Sequence, residues 1–191
     1  LANKHDFSDP SGTNRAERAA VQTFVDALTG TDKPFLLASG LAGHRLGRPI
    51  AEADRIDARG PEAMRGGTEN LALDAAAEAG LHAVSLRFAP TVHGAGDHGF
   101  IAYLVQAARD AGAALYVGDG ANAWSAVHVS DAGEAVARAV EGARGGTAVH
   151  VVAEQGIPTR EIAEAIGRGL GLPARSVIDE DALRTISEQL G

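Results

Sequence analysis

The sequence predicts an α/β fold in which helices cover a parallel sheet. Three observations carry that expectation. Helical segments with apolar faces alternate with short apolar runs, instead of clustering by type. The run Phe35-Leu-Leu-Ala-Ser39 is apolar up to its last residue, as a strand covered on both faces requires. Glycines stand just past several helical stretches, at Gly30, Gly80, Gly112 and Gly171, where a left-handed cap ends a helix without steric cost.

From the N-terminus, residues 14–28 place Ala16, Ala20, Phe24, Ala27 and Leu28 on one helical face, with Ser11 or Thr13 as candidate cap. Residues 35–39 form the first strand. Residues 40–60 carry glycine, proline and charge without period and read as a loop. A helix follows over about 62–79, then a strand over 82–88, a Gly/Pro/His loop over 89–99 and a helix over 100–111. Leu115–Val117 and Ala126–Val129 are short strands about the turn Gly118-Asp119-Gly120. Ser130 is a candidate cap for a helix to about Glu141. Residues 147–152 read as a strand and 159–170 as a helix, and Asp179 is a candidate cap for a last helix to Leu190. With no linker, repeat or low-complexity tract, residues 1–191 are expected to be a single α/β unit.

Composition narrows the function classes. The 191 residues are 45% apolar and carry 17 Lys plus Arg against 25 Asp plus Glu, a formal charge of −8. Only Lys4 and Lys33 are lysines, and no basic stripe could neutralise a phosphate backbone, so a nucleic-acid partner is not expected. No apolar run approaches the roughly 18 residues of a membrane span, and no signal segment opens the chain; no membrane partner and a cytoplasmic location are the expectation. Without Cys there is no disulfide, thiolate zinc site or cysteine nucleophile.

Ligands of a parallel sheet bind beyond the carboxyl ends of its strands, which directs attention to the loops after residues 39, 88 and 128. Gly94-Ala-Gly96-Asp-His-Gly99 is a literal GxGxxG, but five residues separate it from the preceding strand, and a connecting loop is the plainer reading. Gly40, Gly43 and Gly47 resemble a phosphate loop only until Pro49 interrupts. His93, Asp97, His98, His128 and Asp131 have ligand chemistry but no ligand spacing, so no metal is expected. Ser39 and Ser125 lack a GxSxG elbow.

Taken in order, several segments resemble the extended short-chain dehydrogenase/reductase family of the NAD-dependent epimerase/dehydratase type. Phe35–Ser39 resembles the strand that ends at the active-site Ser or Thr. Leu86-Arg87 with Pro90-Thr91-Val92-His93-Gly94 resembles the Arg-Pro-x-Asn-Val-Tyr-Gly segment. Gly118-Asp119-Gly120 followed by Ala126-Val-His128-Val129-Ser130-Asp131 resembles the Gly-Asp-Gly turn and the Val-His-Val-x-Asp-x-Ala stretch. The resemblance covers nearly the whole chain and implies a partial Rossmann-like sheet with a small substrate-capping lobe, formed by elements at about 94–125 and 154–191. It also implies NAD or NADP as cofactor, a small hydroxy or keto substrate, and a homodimer built on the helices at 14–28 and 62–79.

Two departures qualify that resemblance. The family's pyrophosphate loop has no counterpart here; with Met64 as the one methionine, the chain is expected to be the later part of one longer by about a hundred residues, the size of a Rossmann half. The family's Tyr-x-x-x-Lys pair is also missing: Tyr103 and Tyr116 are followed four residues on by Ala107 and Gly120, and the Lys place falls near Arg65. A guanidinium can hold a ribose but cannot supply a proton. The resemblance therefore implies Ser39 and His93 as the catalytic candidates, His93 because an imidazole titrates near neutrality. Ser39, Arg65 and Pro90 are the candidates for cofactor contact, and Arg87, Thr91 and His128 for substrate contact. The alternatives are a non-catalytic dinucleotide-binding or regulatory protein, and an inactive fragment whose sheet edge is covered by self-association.

Overall fold

The structure, a computed structural model, describes residues 8–41 and 47–178. Its contacts divide the chain into two units, Leu1–Phe88 with Gly133–Val151 and Ala89–Ala132 with Val152–Gly191.

The first unit is built on a parallel sheet of β1 (Phe35–Gly40), β2 (Ala83–Phe88) and β6 (Thr147–Val151), in the order β1-β2-β6. The register pairs Ser39 with Arg87 and Arg87 with His150, which sets these three side chains in a row at the carboxyl ends of the strands. Helix α1 (Pro10–Leu28) opens with Pro10 at its first position and the Asp9 carboxylate accepting the Gly12 N–H at 2.8 Å. Its buried face is Thr13, Glu17, Val21 and Val25. Val21 and Val25 pack with Phe35 and Leu37 of β1, Ala83 of β2, and Ala72 and Leu81. Each large apolar side chain buried there contributes about 1.5–3 kcal/mol.

The helix expected over 62–79 is broken. A 3-10 turn over Met64–Gly67 precedes α2 (Thr68–Ala79), and Gly67 stands between them in the left-handed region at φ 59°. The close-packed face of α1 also differs from the expected one: Phe24 is exposed although it stacks on Phe35 with centroids 5.2 Å apart. The cap is Asp9, not Ser11 or Thr13. The reason lies in Glu17, a carboxylate buried by pairing, which an apolar pattern passes over.

The second unit holds β3 (Thr91–His93), β5 (Ala123–His128) and β7 (Glu154–Pro158), with β3 parallel and β7 antiparallel to β5. A parallel pair of β4 (Ala114–Val117) and β8 (Ala174–Val177) packs with α3 (Phe100–Ala111) and α5 (Thr159–Leu170). Strands β3, β7 and β8 were not expected from the sequence; each is three to five residues long and its pattern is too short to carry a period. Helix α4 (Val129–Gly142) starts before Ser130, which therefore lies in its first turn and does not cap it. The helix expected after Asp179 lies outside the described residues. No helix of the described residues is long and apolar enough to cross a membrane.

Candidate functional site

Each unit carries one cluster of polar side chains at strand ends. In the first unit the cluster is centred on Glu69, an acid in the first turn of α2, where the helix dipole favours negative charge. Ser39 Oγ donates to Glu69 Oε2 at 2.7 Å, and Arg87 Nε donates to Glu69 Oε1 at 2.8 Å. Burial pushes the Glu69 carboxyl up, but the hydrogen bonds from Arg87 and Ser39, with the Arg87 charge, outweigh it and hold the group below its ordinary value. Ser85 lies near enough to add to that lowering, although its Oγ meets no partner in hydrogen-bond geometry.

Arg87 has no exposed surface. Its remaining N–H groups donate to the carbonyls of Ala51 (3.5 Å), Glu52 (3.3 Å) and Asp54 (2.6 Å) and to His150 Nε2 (3.4 Å). Burial and the Arg87 charge lower the His150 pKa, which keeps the imidazole neutral and able to accept. Arg65 sits in the left-handed region at φ 52°, and its guanidinium donates to Glu17 Oε1 at 2.6 Å and to the Ala38 carbonyl at 2.7 Å. The Ala38 carbonyl that Arg65 holds belongs to β1, one residue before Ser39. A Cβ added to Gly40, on the sheet face opposite the Ser39 side chain, would meet nothing within 4 Å.

The second cluster lies at the ends of β3 and β5, whose register sets His93 opposite His128. The rings meet edge to face with centroids 6.1 Å apart. His93 Nδ1 faces the Thr91 carbonyl at 3.3 Å; a carbonyl can only accept, so Nδ1 carries the proton and Nε2 is left as the basic nitrogen. His128 Nδ1 accepts the Ser130 N–H at 3.3 Å and lies 2.7 Å from Ser130 Oγ, which in turn donates to Asp131 at 3.1 Å. Thr91 is buried and its hydroxyl donates to the Ser125 carbonyl at 2.9 Å; Pro90, just before it, is half-buried.

Gly94 is required at the close of this cluster. A Cβ there would lie 2.7 Å from Val129 Cγ1 and 3.1 Å from His128 Nε2. In the loop that follows, Asp97 N–H donates to the Gly94 carbonyl at 3.1 Å and Gly99 N–H to the Asp97 carboxylate at 2.6 Å, so amides that a phosphate would need are spent within the loop. Thr91 and His93 also line an open cavity of about 850 Å³, together with Glu154, Arg160, Glu161 and Arg168.

The structure thus joins Ser39 to Arg87 through Glu69, brings Arg65 beside them at Ala38, and groups Thr91, His93 and His128 in the second unit. Sequence reasoning missed Glu69, Glu17 and His150. Glu69 could have been found as an acid one helical turn after Arg65, at the start of a helix; nothing marked the other two.

A sequence model of the NAD dependent epimerase/dehydratase family matches residues 7–153. An uncharacterized protein of Schizosaccharomyces pombe is 37% identical over 182 residues, covering 93% of this chain and 60% of its own length. An uncharacterized protein of Saccharomyces cerevisiae is 36% identical over 178 residues, covering 93% and 59%. The chain therefore spans about three fifths of the curated relatives it matches. Among solved structures, the dTDP-glucose 4,6-dehydratase DesIV of Streptomyces venezuelae, with NAD bound, superposes at a TM-score of 0.71 with 22% identity over 95% of this chain and 60% of that one. A UDP-N-acetylglucosamine 4-epimerase of Methanobrevibacter ruminantium superposes at 0.69 with 19% identity over 100% and 72%. Such identities carry the fold: an α/β, Rossmann-like parallel sheet with flanking helices. With a family match over more than half its length, the chain belongs to the NAD dependent epimerase/dehydratase family.

Proposed function

We propose that the chain is the part of an NAD(P)-dependent oxidoreductase of the epimerase/dehydratase type that holds a small hydroxylated or keto substrate. The observation that carries this reading is the Ser39–Glu69–Arg87 arrangement at the carboxyl end of a parallel sheet, the edge at which such sheets bind ligands. Ser39 spends its proton on Glu69, so its lone pairs are left to accept from a substrate alcohol or from a bound carboxamide. Glu69 stays ionised and works as an orienter, not as a proton donor. Arg87 acts on the ligand only through Glu69 and Ser39.

The Ser39 hydroxyl suits the nicotinamide end of a dinucleotide, and Pro90 is the candidate cofactor contact of the second unit. A nicotinamide, when bound, supplies hydride transfer. Within the second unit the candidate proton carrier is His93, whose Nε2 can take a proton from a hydroxyl and return it to a carbonyl. Thr91 and His128 shape the wall beside His93. That cavity lines two arginines against three glutamates, a balance that suits an uncharged substrate better than a diphosphate. Arg65, bound to Glu17 and Ala38, keeps the β1 end in place and would reach a ribose only by giving up one of those bonds.

The test is titration with NADH and NADPH, followed by turnover on a panel of alcohols and ketones. Binding of either nucleotide is expected, with kcat lowered by about 10²- to 10⁴-fold in His93→Ala and a weaker loss in Ser39→Ala. No binding of either nucleotide would overturn the reading. The missing Tyr-x-x-x-Lys pair favours a second reading, a dinucleotide-binding protein without catalysis, which predicts tight binding and no turnover on any substrate.

A further inference from the structure

A second cavity, of about 160 Å³, lies wholly within the second unit, among α3, β4, β5 and α5. The chain has one Trp and two Tyr, and Trp124, Tyr103 and Tyr116 all line it. Its floor is made by Ala108, Ala114 and Ala163, three buried residues at the centre of this unit's apolar cluster. Methyl groups at the centre of a core leave a hole that larger side chains would have filled, at a cost that grows with the volume left empty. An apolar hole of about this size stays dry and takes up a benzene ring. Tyr103 at the mouth is 50% exposed, so entry needs no rearrangement of the core.

No charged side chain lines the cavity. Its polar side chains include Asn122, which is exposed and so stands at the edge of the cavity. The Thr159 hydroxyl donates to Asn122 Oδ1 at 2.7 Å and the Thr159 N–H to the Asn122 carbonyl at 2.8 Å, which fixes the amide and leaves its Nδ2 without a partner among the described residues. The Trp124 indole N–H is likewise unpaired among them. Apolar walls with a fixed, solvated amide at the edge suit a neutral molecule that carries an oxygen acceptor.

We propose that this cavity binds a small uncharged ring compound bearing a carbonyl or hydroxyl, the ring against Tyr103, Tyr116 and Trp124 and the oxygen accepting from Asn122. The proposal does not rest on the dinucleotide chemistry above. The probe is 4-fluoroacetophenone, added to the protein with no nucleotide present. Trp124 is the protein's whole indole emission, so a bound ring is expected to change it saturably, with matching broadening of the probe's fluorine resonance. Ala107→Leu, which fills the lining, is expected to weaken binding about tenfold, and 4-fluorobenzoate, of the same shape but charged, to bind at least as much more weakly than the ketone. Asn122→Ala is expected to weaken the ketone but leave fluorobenzene unchanged. A change that does not saturate, or equal binding of the benzoate, overturns the proposal. If circular dichroism shows Ala107→Leu unfolded, Tyr103→Ala at the exposed mouth replaces it, and unchanged affinity there overturns the proposal. Saturable binding without any response to NADH leaves this site standing even if the dinucleotide reading fails.

Discussion

A guanidinium without exposed surface loses several kcal/mol of hydration unless its N–H groups find partners. Arg87 finds them in Glu69, in three carbonyls of the segment 51–54 and in His150. Removing it strands the Glu69 carboxylate as well as those carbonyls. Arg87→Leu is therefore expected to cost about 3–5 kcal/mol, measured by denaturant unfolding; a cost below about 1 kcal/mol would mean that water replaces the guanidinium freely. Ser39 and Arg87 were legible as site candidates because both stand at strand ends, where a parallel sheet exposes side chains to ligands. Glu69 was not, since its meaning comes from a pairing across 18 and 30 residues of chain. The Glu17–Arg65 pair is hidden for the same reason, and it turned the buried face of α1 away from the alanines that its sequence suggested.

At the scale of elements, legibility followed length and punctuation. Helices α3 and α5 were expected within a residue of where they lie, each ended by a glycine in the left-handed region. The 62–79 helix was read as continuous across Gly66-Gly67, where the structure puts the break, with Gly67 in the left-handed region. Gly120, in the Gly-Asp-Gly turn, shows a stronger demand: it lies at φ 66°, and a Cβ there would come within 2.5 Å of Arg160 Cβ and 2.8 Å of the Tyr116 ring. Gly80, at φ 70°, has nothing within 4 Å. Gly80→Ala should thus cost about 1 kcal/mol of backbone strain alone, and Gly120→Ala roughly 2–3 kcal/mol, because α5 must also shift. Thermal melts of the two variants compare these costs directly; equal shifts would show that α5 gives way without resistance.

For the whole molecule, the carboxylates and the histidine that are shifted all act in one direction. His150 is lowered from an ordinary 6.5, and Glu69 from 4.5, so the unfolded chain binds more protons than the folded one in each window. Stability then rises with pH from acid toward neutrality. On acidification it is expected to fall first below about pH 6.5, as unfolding frees His150 to take up a proton, and again below about 4.5, where Glu69 would protonate if unfolded. Asp54, held well below the carboxylate range by Arg48 and the Ala51 N–H, extends the loss to still lower pH. Melting temperature from pH 8 to 4 tests this, and His150→Gln should remove the first step while keeping the second; a flat profile from 6.5 to 5 contradicts the account. The α/β class was legible at this scale from alternation alone, while no composition shift marks any of the three points where the chain passes between units, so the expectation of a separate lobe came from the family resemblance and not from the residues.

The many bonds that Arg87 sends to residues 51–54 have a consequence for the order of events in folding. Those residues precede Arg87 by 33 to 36 positions, and their own order is a single turn in which the Asp54 N–H donates to the Ala51 carbonyl and the Asp54 carboxylate accepts from Arg48 and the Ala51 N–H. Asn70 of α2 holds the neighbouring carbonyls of Ile56 and Ala58, again from across the chain. The segment's bonds to Asn70 and Arg87 can form only once α2 and β2 are in place, so they belong to a late step in the folding of the first unit. Whatever that segment contributes to a ligand site is thereby gated by the completion of a strand distant from it in the chain.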